Sequence, residues 1–92
     1  MAKRIETNRI QVFRLIAPTA REVLLVGDFT HWRERPVHME KGADGAWTAV
    51  VGLAPGKHAY LFIVDGQWRD DPGCTQRAPN SFGGFNMVRD VA

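Results

Sequence analysis

Short apolar stretches recur along the chain at intervals of roughly 8–12 residues, each interrupted by glycine, proline, aspartate or asparagine, and this rhythm predicts an all-β sandwich or barrel. The first strand runs from Arg9 to Ile16 with Phe13 and Leu15 facing the core. Ala17-Pro18-Thr19 ends it, because Pro18 has no N–H to give to a ladder. A second strand, Glu22 to Gly27, places Val23 and Leu25 on one face and leads into Asp28-Phe29-Thr30-His31-Trp32. A short strand follows at Val37 to Met39. The next, Gly45 to Leu53, carries Trp47, Ala49, Val51 and Leu53 at alternate positions, the pattern of a half-buried strand. Ala54-Pro55-Gly56 then turns the chain, proline fixing one dihedral and glycine free to take a positive φ.

The strand from Lys57 to Val64 is the most strongly written. β-Branched and aromatic residues fill it, Tyr60, Phe62 and Val64 alternate inward, and Leu61 and Ile63 point to the other face. Asp65-Gly66 is a two-residue hairpin signal that returns the chain through Gln67-Trp68. Residues Arg69 to Gly84 read as a long loop, and Phe85 to Val91 closes the sheet. No segment keeps a helical period with caps, and no internal repeat is present.

Size and composition narrow the reading. The 92 residues have room for one hydrophobic core, so a single domain over 1–92 is expected, its core between about residues 9 and 91. An apolar share of 45% against 24% charged residues is too apolar for a disordered chain. Apolar runs such as Leu61 to Val64 fall far short of the roughly 20 residues that cross a bilayer, and the amino terminus has no signal-peptide stretch, so neither a membrane nor secretion is expected. A lone cysteine, Cys74, can build no intramolecular disulfide and no thiol zinc site, which fits a cytoplasmic protein. The formal charge of +2 is mixed along the chain, with Arg33 and Arg35 flanking Glu34 and Lys41 following Glu40. Nucleic-acid surfaces cluster their cations, so this pattern argues against such a partner.

Catalytic candidates are thin. Asp70 and Asp71 are neighbours, and neighbours on an extended chain point to opposite sides and cannot flank one glycosidic bond. His31, His38 and His58 lack a metal-ligand spacing. Ser81 sits in no nucleophile elbow, and Cys74 has no basic neighbour in sequence beyond Arg77. The expectation is therefore a non-catalytic protein without metal or cofactor. Tryptophan placement is more informative. Trp47 is in phase with the core, whereas Trp32 follows a Gly-Asp-Phe-Thr-His turn and Trp68 follows the hairpin. Aromatics at loop tips stay available to a ligand, although the same placement also suits a cap on one end of a sandwich. A sugar ring can lay its C–H face on an indole while its hydroxyls seek polar partners such as an asparagine amide.

Three segments together carry a family resemblance: Val26-Gly27-Asp28-Phe29-Thr30-His31-Trp32, Leu53-Ala54-Pro55-Gly56-Lys57-His58-Ala59-Tyr60, and Phe62-Ile63-Val64-Asp65-Gly66-Gln67-Trp68 with Asp71-Pro72. They resemble the glycogen-binding modules of the AMP-activated protein kinase β subunit and the amino-terminal modules of branching enzymes and isoamylases, over about Gln11 to Val91. The resemblance implies an immunoglobulin-like β-sandwich of the early-set type with about seven short strands. It also implies that α-1,4-linked glucan chains stack on Trp32 and Trp68. Asn86, between Phe85 and Met87, would then supply hydrogen bonds, with Lys57 as a further donor. The chain departs from the glucan-binding kinase modules in two places: Leu61 stands where they carry a lysine, and Thr30-His31 where Asn-Asn is usual. The alternative is a sandwich-fold interaction module beside a carbohydrate-active enzyme or kinase subunit. It would use the same aromatic surface, or the Leu61 and Ile63 face, to hold a protein.

Overall fold

The computed structural model describes residues 8–92. Among the described residues nine strands follow in order: β1 Arg9–Ile16, β2 Val23–Gly27, β3 Val37–His38, β4 Glu40–Lys41, β5 Ala46–Leu53, β6 Gly56–Val64, β7 Gln67–Arg69, β8 Arg77–Pro79 and β9 Phe85–Val91, with a 3-10 turn at Asp28–Thr30. They form two antiparallel sheets, one ordered β1-β5-β4 and the other β3-β2-β6-β9-β8 with β7 added to β6. The protein is thus an all-β sandwich, and none of its described segments is a helix able to cross a membrane.

The long strands fall where period-two alternation placed them, because alternation buries one face of each. Phe13 and Leu15 of β1 lie opposite Ala49 and Trp47 of β5, and all four are buried against Val23, Leu25, Tyr60, Phe62 and Met87 from the other sheet. Phe13 meets Tyr60 edge to face across the layers, with centroids 4.8 Å apart. Trp47 is a core residue at 6% exposure, its indole N–H donating to the Ala17 carbonyl at 2.9 Å. β1 is an eight-residue edge, and edges invite pairing with another chain. Arg89 blocks it, donating to the Val12 carbonyl and to Gln11 Oε1, both at 3.1 Å, while stacking on Phe13.

Two segments differ from the sequence expectation. The short strand expected over Val37 to Met39 is split: Val37 and His38 pair with β2, Met39 is buried, and Glu40 and Lys41 pair with β5, so the chain crosses from one sheet to the other at Met39. Within the loop expected over Arg69 to Gly84, Arg77–Pro79 pairs with Met87–Phe85. That strand has no apolar alternation to announce it, and Pro79 is tolerated because β8 is an edge.

Candidate functional site

β6 has three partners for two edges. β2 lies along one edge from Tyr60 to Val64, while the other is divided, β9 pairing with Gly56 to Tyr60 and β7 with Phe62 to Val64. Leu61 therefore faces the gap where β7 and β9 meet end to end. Residues directly opposite in an antiparallel pair share a face, so Val26, Leu61, Ile63 and Trp68 all lie on the outer face of this sheet. An open hollow of about 990 Å³ forms there, with Leu61 in its wall between Trp32, Trp68 and Asn86. Three of the four expected sugar-binding residues are thus brought together. Leu61, at 8% exposure, and Ile63, at 2%, belong to the packed cluster beneath, so that row is not itself a free docking face.

Trp32 is presented by a strained turn. His31 and Trp32 have φ of 50° and 57°, a region that bulky residues rarely adopt and that costs on the order of 1 kcal/mol or more each. The buried Thr30 holds the turn. Its hydroxyl accepts the Gly27 N–H at 2.9 Å and lies 2.7 Å from the Trp32 carbonyl, while the Trp32 N–H donates to the Gly27 carbonyl at 2.8 Å. Gly27 permits this approach, since a Cβ there would sit 2.4 Å from the Ala59 carbonyl oxygen. Trp32 is half-buried and packs on the core.

Trp68 stands two residues past the turn that Asp65 and Gly66 make with φ of 49° and 83°, the geometry of a two-residue turn with both φ angles positive. The Asp65 carboxylate accepts the N–H groups of Arg21 and Glu22, each at 2.9 Å, which fixes the hairpin to the entry of β2. The indole is 48% exposed, and the Arg33 guanidinium lies over it, 6.0 Å from the centroid.

The third wall comes from the segment before β9. Asn80 Oδ1 accepts the N–H groups of Phe82 at 2.9 Å and Gly84 at 3.0 Å, and its amide nitrogen donates to Asn86 Oδ1 at 3.2 Å. Asn86 keeps its own amide N–H groups without a partner among the described residues. The same turn pushes Phe82 into solvent at 94% exposure, beside the exposed Phe85. Asn80, Phe82 and Phe85 escaped the sequence reading, although Asn-Ser-Phe-Gly-Gly is the signature of a side-chain-closed turn with an aromatic at its tip. Deeper in, Asp71 anchors the loop. Buried, it accepts the Tyr60 hydroxyl at 2.7 Å and the Gly73 N–H at 2.9 Å. Burial, then the adjoining carboxylate, pushes the Tyr60 phenol far above its usual pKa.

Lys57 lies apart. It is on the same outer face as Leu61 but roughly 13 Å along the strand, outside the hollow and ion-paired with Asp90 at 3.6 Å on the exposed surface. His58 is held between the Ala54 carbonyl at 2.8 Å and Asp28 at 3.5 Å. Among the described residues no three His, Cys, Asp or Glu side chains gather as a metal site. Asp70 is the one carboxylate among the residues lining the hollow.

The family model for the glycogen recognition site of AMP-activated protein kinase matches residues 16–92. Protein PTST homolog 2, chloroplastic, of Arabidopsis thaliana is 44% identical over 54 residues, 59% of this chain and 10% of its own length. The FLOURY ENDOSPERM 6 protein, chloroplastic, of Oryza sativa is 43% identical over 58% of this chain and 10% of its own. The 5'-AMP-activated protein kinase subunit beta-1 of Sus scrofa is 38% identical over 56% of this chain and 40% of its own. The matched region is therefore a minor part of each of these longer proteins.

Proposed function

This chain belongs to the family of the glycogen recognition site of AMP-activated protein kinase, and on that premise we propose that it holds an α-1,4-linked glucan in the hollow without cleaving it. The observation that carries the reading is the convergence of Trp32, Trp68 and Asn86 around Leu61. Two indoles offer apolar faces to successive glucose rings, and Asn86 and Asn80 offer amide groups to hydroxyls at the ring edges. Phe82 and Phe85 add aromatic surface that a bound chain would cover. Lys57, beyond the hollow on the same face, would meet a longer chain rather than the stacked rings. Non-catalytic binding is supported by the lone Asp70, since glycoside hydrolysis uses two carboxylates flanking one bond, and Asp71 is committed to Tyr60.

The test is retention on insoluble starch or glycogen, with cellulose as the control and maltoheptaose titrated in parallel. Retention on the α-glucans, released by maltoheptaose, is expected. Equal retention on cellulose, or no heat with millimolar maltoheptaose, would remove the reading. Association with a kinase or carbohydrate-active enzyme subunit is the second reading. It is favoured by the exposed Ile10, Val12 and Val50 on the outer face of the other sheet, a surface that binding at the hollow leaves free. A reducing setting such as the cytoplasm suits the unpaired Cys74.

A further inference from the structure

The hollow does not end at Trp68. Trp68 and Asp70 also border a second, shallower depression of about 570 Å³, lined beyond them by Arg69, Arg77, Pro72 and the end of β1. Arg69 pairs with Phe62 and Arg77 with Met87, so both side chains leave the sheet on its inner side, at the open edge of the sandwich. A chain lying across Trp68 reaches them by passing over that edge. Arg33 stands on the near side, over the Trp68 indole.

These three guanidiniums are exposed, and none is ion-paired among the described residues. One carboxylate, Asp70, stands among them. Three arginines against one aspartate leave +2 around a single tryptophan, equal to the formal excess of the whole chain. Neutral sugar hydroxyls do not need this, because amides such as those of Asn80 and Asn86 serve them. A guanidinium presents a planar fork of donors that matches a phosphate, and the neighbouring like charges favour an anion between them.

We propose that the second depression takes a phosphomonoester carried on the glucan, so that the module prefers phosphorylated α-glucan to the neutral polymer. This rests on the glucan reading above and adds to it. The experiment titrates the wild-type protein with a neutral maltodextrin, a phosphorylated maltodextrin of equal length, and inorganic phosphate, each at low and high salt. The phosphorylated chain is expected to bind roughly tenfold more tightly than the neutral one, as for charge-assisted contacts to phosphate. That advantage should shrink to under about threefold near 0.5 M salt, where exposed charges are screened. In the exposed-site double variant Arg69→Gln/Arg77→Gln the two maltodextrins should bind alike. Equal binding of both by wild type overturns the proposal and leaves the glucan reading standing. So does a preference that persists in the double variant. Inorganic phosphate binding as tightly as the phosphorylated chain overturns it too, since the glucan then contributes nothing. If neither maltodextrin binds, both readings fall together.

Discussion

Replacing Trp68 by alanine tests the stacking platform with the least disturbance to the fold. The side chain retains 48% exposure, which on an aromatic of up to about 250 Å² leaves on the order of 100 Å² for a sugar to cover. Counting an equal area on the sugar, the burial is worth at most about 5 kcal/mol at ~25 cal/mol per Å². Losing one contact among several also returns part of the cost of ordering the ligand, so the measured loss should fall to about 1–3 kcal/mol. The dissociation constant for maltoheptaose should then rise roughly 10- to 100-fold in titration calorimetry. Far-ultraviolet circular dichroism and the urea midpoint should stay near wild type, because Trp68 lies on a short strand beside the sandwich rather than within its core. Trp47→Ala supplies the contrast. That indole is 6% exposed and donates to Ala17, so its loss should cost about 3–5 kcal/mol of stability, a large part of what a small domain has. A change of less than twofold in affinity for folded Trp68→Ala would refute the argument that the platform carries binding.

The chain's single tyrosine, Tyr60, has a raised folded pKa, so its contribution is fully present below the unfolded value of about 10 and falls away progressively above it, to be lost as pH rises through the folded value. Tyrosinate absorbance should therefore appear together with unfolding, and ionisation near pH 10 with the fold intact would contradict the burial argument. Leu61→Lys should tighten maltoheptaose binding by adding a donor in the hollow while lowering stability by about 1–2 kcal/mol, since Leu61 is packed and a lysine must snorkel out; an unchanged urea midpoint would show the position to be less tightly packed than it looks. Gly27→Ala forces a Cβ against the Ala59 carbonyl and should weaken both stability and binding by displacing the Trp32 turn, whereas wild-type affinity in this variant would disconnect the turn from the site.

How much was legible from the residues varies by element. β1, β5, β6 and β9 could be placed because alternation decides which face is buried, and the Asp65-Gly66 hairpin because both residues accept positive φ. The sheet change at Met39 could not be read, since two residues per strand leave no period to detect. Trp47 in the core and Trp32 and Trp68 nearer the surface followed from phase and turn position. The half-burial of Trp32 did not, because it depends on a left-handed turn fixed by Thr30 and Gly27. Lys57 is expected to help Asn86 orient hydroxyls, yet strand spacing alone separates it from Leu61 by about four residues of rise. Leu61 and Ile63 alternate outward as read, but they are buried there because the aromatic residues gathered on that face bury it as well. Phe82 was missed because its role depends on how Asn80 closes a turn rather than on any period.

If the hollow takes a glucan as proposed, its shape also sets the strength of binding. Trp68 offers on the order of 100 Å² and the half-buried Trp32 somewhat less, so together with the sugar faces about 320 Å² of apolar surface is covered, worth about 8 kcal/mol. Association costs at least about 4 kcal/mol, which leaves a dissociation constant near 1 mM. Phe82 adds area but must be ordered on its turn, so its net gain is small. An enclosed pocket would trap one chain end; an open hollow on a sheet face accepts the middle of a chain, and a branched glucan presents many such chains at once. Rebinding at high local concentration then does what a single contact cannot. On the proposed reading, a millimolar site on one small sandwich can thus hold the module at a glucan surface and still let it move from chain to chain.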